Sequence, residues 1–167
     1  MPSTGSAVLL AALLVLPPSV ERLSPLDRQR ADFIGAIGRA VSAEWQTVGR
    51  ETADGDRTVS LVIRGAANPA ELSRPEVAFP PADFQTLDDT APPRPVLGGV
   101  AFDWSVRCRR PCPATLPAVA VAYYCPVRPP GKHFLTAYAD PLTLTVAPAP
   151  EQAAARPPLF AEGLPGP

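Results

Sequence analysis

The clearest alternation of apolar and polar positions runs through 100–108, where Val100, Phe102, Trp104, Val106 and Cys108 interleave with Ala101, Asp103, Ser105 and Arg107. A period of two puts every large apolar side chain on one face, so the pattern predicts a half-buried strand. In 118–125, Val119, Val121, Tyr123 and Cys125 share one face and Ala118, Ala120, Ala122 and Tyr124 the other, which predicts a strand covered on both sides or crossed closely by another element. Residues 109–117 contain Pro111, Pro113 and Pro117, which cannot donate to a ladder, so the two strands are expected to form an antiparallel hairpin with a long, stiff tip.

Elsewhere the pattern predicts three further strands. Segments 45–49 and 58–64 flank the turn signal Asp54-Gly55 and read as a hairpin in which Val59, Leu61 and Ile63 face one way. Segments 133–139 and 142–146 read as a last strand, bent at Asp140-Pro141. Upstream, Ser24, Pro25 and Asp27 make a helix start, and Leu26, Phe33, Ile34, Ile37 and Val41 recur at helical spacing. These positions predict an N-terminal amphipathic helix packed on the sheet, with Gly35 and Gly38 at a close approach to a neighbour. Residues 65–95, rich in proline, alanine and acids, show little periodicity and are expected to be a functional loop, a covering strap or a partly disordered segment, which Phe79 and Phe84 could pin across the sheet. The expected fold is therefore α+β: one helix on an antiparallel sheet of about five strands.

A chain of 167 residues supports one domain, placed here at 21–147. Before it, the apolar run AVLLAALLVL at 7–16 is too short to span a bilayer and has the length of a signal-peptide core, so 1–20 reads as a signal peptide or short apolar anchor. After it, 148–167 reads as a flexible Pro/Ala-rich tail. The net charge of −1 removes the basic excess a general nucleic-acid binder needs. Lys132 is the only lysine and Asn68 the only asparagine, a bias that a GC-rich coding sequence would give.

Candidate chemistry centres on the cysteines. Cys108 and Cys112 are close enough in sequence for a local disulfide in an exported chain, which would leave Cys125 as a buried thiol. Three cysteines and His133 lack the paired knuckles of a zinc site, so no metal is assigned. Asp54 and Asp56 lack the later bidentate acid of a calcium loop, and the PPGK at 129–132 lacks the pattern of a phosphate loop. With a single histidine, a nucleophilic mechanism would have to use His133, for example with Cys125 across the turn 126–132, and nothing in the pattern singles that pair out. No catalytic residue and no cofactor are assigned. Arg107, Arg109, Arg110 and Arg128 are expected to gather near one edge of the central hairpin, as a patch for an anionic small molecule or a protein partner.

VAYYC followed by LTLTV is similar to the last two strands of an immunoglobulin variable domain. That family places its core tryptophan after the first cysteine, whereas Trp104 precedes Cys108, so the expected fold stays with the periodicity. An apolar N-terminal segment before an antiparallel sheet is also similar in layout to pilin-like proteins, although the processing motif and long apolar helix of that family are missing. The functional expectation is an exported, non-enzymatic small domain that binds or plays a structural role at the cell envelope, secreted or periplasmic. Membrane contact is expected only through 7–16. The alternative is a small-molecule-binding domain or small enzyme with its site between the sheet and the 65–95 strap.

Overall fold

The computed structural model describes residues 18–30, 32–49, 51–52, 55–109 and 113–145. The apolar run 7–16 and the tail 148–167 lie outside the described residues. In chain order the strands are β1 (Phe33–Ile37), β2 (Ser42–Val48), β3 (Asp56–Arg64), β4 (Phe84–Asp88) and β5 (Arg94–Val96). They continue with β6 (Gly99–Cys108), β7 (Ala114–Thr115), β8 (Val119–Tyr124), β9 (Phe134–Ala139) and β10 (Thr143–Leu144).

The strongest alternation produces the central ladder. β3 and β6 pair antiparallel along their whole length, from Asp56 opposite Arg107 to Arg64 opposite Gly99. Leu61 meets Phe102 and Val59 meets Trp104 on the buried face. β2 flanks β3, while β4 and β5 share the other side of β6, giving one five-stranded sheet. The second sheet has the order β1-β8-β9, with β1 parallel to β8, and β7 pairs with β10 in a short ribbon. Val119, Val121, Tyr123, Ala137 and Ala139 of the second sheet join Leu61, Ile63, Phe102 and Trp104 of the first in one apolar core. The two sheets are therefore the layers of a β-sandwich.

The α+β expectation is overturned. Strand takes 45% of the described residues and helix 8%, with no helix of seven residues or more among them, so the expected amphipathic helix over 24–41 is absent. The helix start is real but yields a single turn, α1 (Pro25–Arg28), in which Ser24 Oγ accepts from the Asp27 N–H at 3.2 Å. The apolar residues beyond it form β1, where Ile34, Ala36 and Ile37 are all buried. A strand covered on both faces loses its alternation, and its apolar positions can then fall at helical spacing. Gly35, at φ +90°, supplies a backbone conformation that neither a regular helix nor a regular strand uses.

The expected hairpin of 100–125 is overturned as well. β6 and β8 belong to different sheets, and the chain crosses between them through β7 and Pro117, whose carbonyl accepts from Trp45 Nε1 at 2.8 Å. The 65–95 strap contributes strands rather than only covering them. It closes the free edge of β1, where Ala67 N–H donates to Ile37 O at 2.7 Å and Ser73 N–H to Ile34 O at 2.8 Å, and then supplies β4 and β5. The first hairpin forms as expected in β2 and β3, with its tip residues 53–54 outside the described residues. The bend at Asp140-Pro141 carries the chain from β9 to β10, out of one sheet and into the ribbon.

Candidate functional site

Of the arginines expected to gather, Arg107 and Arg109 lie at one end of the sandwich and Arg128 at the other. Arg107 sits opposite Asp56 at the end of the central ladder and grips its carboxylate at two points, Nε to Oδ1 at 2.5 Å and Nη2 to Oδ2 at 3.0 Å. The Arg107 hydrogen bond outweighs desolvation and, aided by the Arg107 charge, holds the Asp56 carboxyl below its ordinary value. Arg109 ties β6 to β4, its N–H donating to Asp83 O at 2.8 Å and its Nε to Phe84 O at 3.3 Å. Arg110 lies outside the described residues. Arg128 is exposed on the turn after β8, where its N–H donates to Cys125 O at 3.2 Å.

That turn is at the other end of the sandwich. Cys125 Sγ lies 3.9 Å from Arg39 O, and the neighbouring Gly38 and Ala40 pack on Gly65, which follows Arg64 opposite Gly99. The distance along the ladder from there to Arg107 is on the order of 25 Å at ~3.3 Å per residue.

Cys125 is a buried free thiol, as expected. His133 stacks on Tyr124 with ring centroids 4.8 Å apart, and its Nδ1 lies 3.3 Å from the Cys125 carbonyl. Tyr124 and Cys125 are consecutive in an extended segment, so their side chains leave on opposite faces. The imidazole and the thiol therefore diverge, and a Cys-His nucleophile is not assembled. The expected Cys108–Cys112 disulfide involves Cys112, which lies outside the described residues. Among the described residues no group of three or more His, Cys, Asp or Glu side chains could hold a metal ion.

Around Phe79, the space between strap and sheet is filled by side chains. Phe79 packs against Trp45, Trp104 and Phe84 with centroid separations of 6.1, 6.0 and 6.1 Å. Beside it, Arg74 occupies the break between β4 and β5, where no strand pairs with Asp103 on that side of β6. Its Nη1 donates to Asp103 O at 2.9 Å, its Nη2 donates to Ala91 O, and its guanidinium lies 4.7 Å over the Trp104 ring. On the outer face the Asp103 carboxylate accepts from Ser60 Oγ and from Arg94 Nε at 3.2 Å. Burial pushes that carboxyl up, but the Arg94 and Ser60 hydrogen bonds and the charges of Arg94 and Arg74 outweigh it and leave it below the ordinary value.

Sequence reasoning missed Arg74 and Asn68 as structural keystones. Asn68 is buried, accepts from Ile37 N–H at 3.0 Å and donates to Gly35 O at 2.9 Å, so its amide stands in for a neighbouring strand along β1. Its being the only asparagine in the chain was the available signal. Arg74 had none, because its role depends on a gap in a ladder that forms between distant segments.

Two of the recesses in the surface differ in chemistry. One, of about 430 Å³, is lined by Thr47, Val48, Glu51, Arg57, Thr58 and Thr145, and there Arg57 Nη2 pairs with Glu51 and donates to Thr145 O at 2.7 Å. The other, of about 390 Å³, is lined by Pro69, Ala70, Pro93, Pro95, Gly99 and Val100, none of them ionisable. These features define a small β-sandwich domain with ion pairs bracing its strands and loops and buried hydrogen bonds at Ser60 and Asn68. Comparison with protein-family models, with curated proteins and with solved structures returns no match to this chain. The architecture alone does not carry a function, since sandwiches host many.

Proposed function

We propose that the chain is an exported, non-enzymatic β-sandwich module that binds a partner or plays a structural role at the cell envelope. The observation that carries this reading is the apolar groove formed by Pro69, Ala70, Pro93, Pro95, Gly99 and Val100: its lining offers contact area and no group that could move a proton or attack a bond. The titratable groups elsewhere point the same way. Arg107 serves Asp56, Arg94 serves Asp103 and Arg57 serves Glu51, each pair bracing strands or loops against one another.

For the alternative, a ligand site or small enzyme between sheet and strap, Phe79, Trp104 and Arg74 fill one stretch of that interface, and the groove left at Pro69, Ala70, Pro93, Pro95, Gly99 and Val100 offers no ionisable group. The export part of the reading rests on the apolar run 7–16. Fractionation of the native host with intact-mass measurement tests it. The expected result is protein in the envelope or periplasmic fraction with its N-terminal segment removed or membrane-bound. Full-length, unprocessed protein in the cytosolic fraction overturns it.

A further inference from the structure

Four turns meet at the end of the sandwich that carries Arg128: 38–41, 64–67, 96–99 and 125–133. Gly65 N–H donates to Gly98 O at 3.1 Å, Gly38 N–H to Tyr124 O at 2.9 Å, and Cys125 Sγ lies 3.9 Å from Arg39 O, so the turns form one surface. They contain Arg39, Arg64, Arg128 and Lys132, and no Asp or Glu. Arg64 is paired with Glu44 at 2.9 Å, while Arg39, Arg128 and Lys132 make no ion pair among the described residues. Two aliphatic side chains stand at the tips of these turns, Leu97 at 96% exposure and Val127 at 61%. At the opposite end, acids and bases are mixed: Glu51, Asp56, Asp83 and Asp140 accompany Arg107 and Arg109. In a chain of net charge −1 this end therefore carries a local excess of cations.

We propose that this end docks on an anionic lipid surface, with Leu97 and Val127 entering the interfacial layer and Arg39, Arg128 and Lys132 meeting the headgroup phosphates. The proposal rests on the envelope reading and names its partner, beyond any contact made by 7–16. A surface whose turns carry no acid, and whose nearby Glu44 is paired with Arg64, fits a planar, negatively charged interface through its exposed aliphatic tips and its remaining cations. A cation near such a surface is attracted by ~1 kcal/mol, and a buried aliphatic side chain adds its own transfer free energy. The turns need little ordering on contact. Pro126, Pro129 and Pro130 stiffen 125–133, and backbone bonds from Arg128 N–H to Cys125 O at 3.2 Å and from Lys132 N–H to Pro129 O at 3.0 Å close it. Peripheral attachment takes two weak signals acting together, and a basic patch beside an apolar insertion supplies both.

Co-sedimentation of the full chain with phosphatidylcholine vesicles, with and without phosphatidylglycerol, tests the proposal. The expected result is binding that requires phosphatidylglycerol and weakens as salt is raised. Arg128→Glu with Lys132→Glu is expected to weaken it by about tenfold or more. Leu97→Ser with Val127→Ser is expected to weaken it several-fold with the salt dependence kept. All four sites are exposed, so an unchanged thermal melt shows that each variant is folded. A wild-type chain that ignores phosphatidylglycerol overturns the proposal. So do variants that bind as the wild type does, in which case 7–16 carries the attachment and the envelope reading stands. That reading fails separately, on fractionation.

Discussion

Replacing Arg74 by methionine keeps the length and the apolar stem of the side chain and removes the guanidinium. Two carbonyls then lose their donor: Asp103 O, in the break between β4 and β5, and Ala91 O, on the loop that spans that break. A hydrogen bond from a charged donor contributes about 1.5 kcal/mol at the low end, and the half-exposed position of Ala91 makes the second bond worth less. Loss of the guanidinium 4.7 Å over Trp104 removes a further ~0.5–1 kcal/mol. Together these give a loss of about 3 kcal/mol. Lysine keeps the charge over the ring but cannot span two carbonyls with a planar fork, so Arg74→Lys should lose about half as much. Urea unfolding followed by tryptophan fluorescence reads both variants. The midpoints should fall while the slope stays constant, and the melting temperature should drop by about 4 °C per kcal/mol. Arg74→Met within about 0.5 kcal/mol of the wild type would refute the bridging role. Equal losses for both variants would refute the contribution of the charge.

Asp103 titrates below its unfolded value of 3.8, so its contribution to stability is present above that pH and is lost as the pH falls through the lower folded value. Unfolding measured across the acid limb should therefore show Asp103→Asn with a shallower decline than the wild type, the remaining slope coming from Asp56 and Asp88; identical slopes would remove Asp103 from the account. Gly65→Ala and Gly49→Ala separate backbone conformation from crowding, because both glycines have positive φ, at +80° and +75°. A Cβ at Gly65 would sit 2.1 Å from Ala40 O, whereas one at Gly49 meets nothing within 4 Å. The expected cost is about 1 kcal/mol at Gly49 and upwards of about 3 kcal/mol at Gly65, and equal melting temperatures for the two would show that the close packing of these turns is not maintained.

Local pattern determined the elements whose one face is buried. The alternation through Val59, Leu61 and Ile63 and through Phe102, Trp104 and Val106 identified β3, β6 and their inward faces, because a strand with one face in the core writes its period of two into the sequence. The Asp54-Gly55 signal likewise announced the first hairpin, and Ser24 announced a helical turn. The site was far less legible. Arg107 and Arg109 are neighbours in sequence and in space, but Arg128 is joined to them in neither the ladder nor the turn, because the chain between β6 and β8 changes sheets.

Tertiary structure alone decided which strands became partners. β6 and β8 look like a hairpin, yet each finds more to bury elsewhere: β6 against β3, and β8 between β1 and β9. β1, buried on both faces, carries no strand period and was indistinguishable from a helix face until β8 and the strap closed on its two edges. The same assembly placed the turns around Arg39, Leu97, Val127 and Lys132 on one surface. Periodicity records whether a residue faces core or water within its own element, but pairing between distant elements depends on how the whole apolar surface can be covered at once, and that is settled only when the sheets pack.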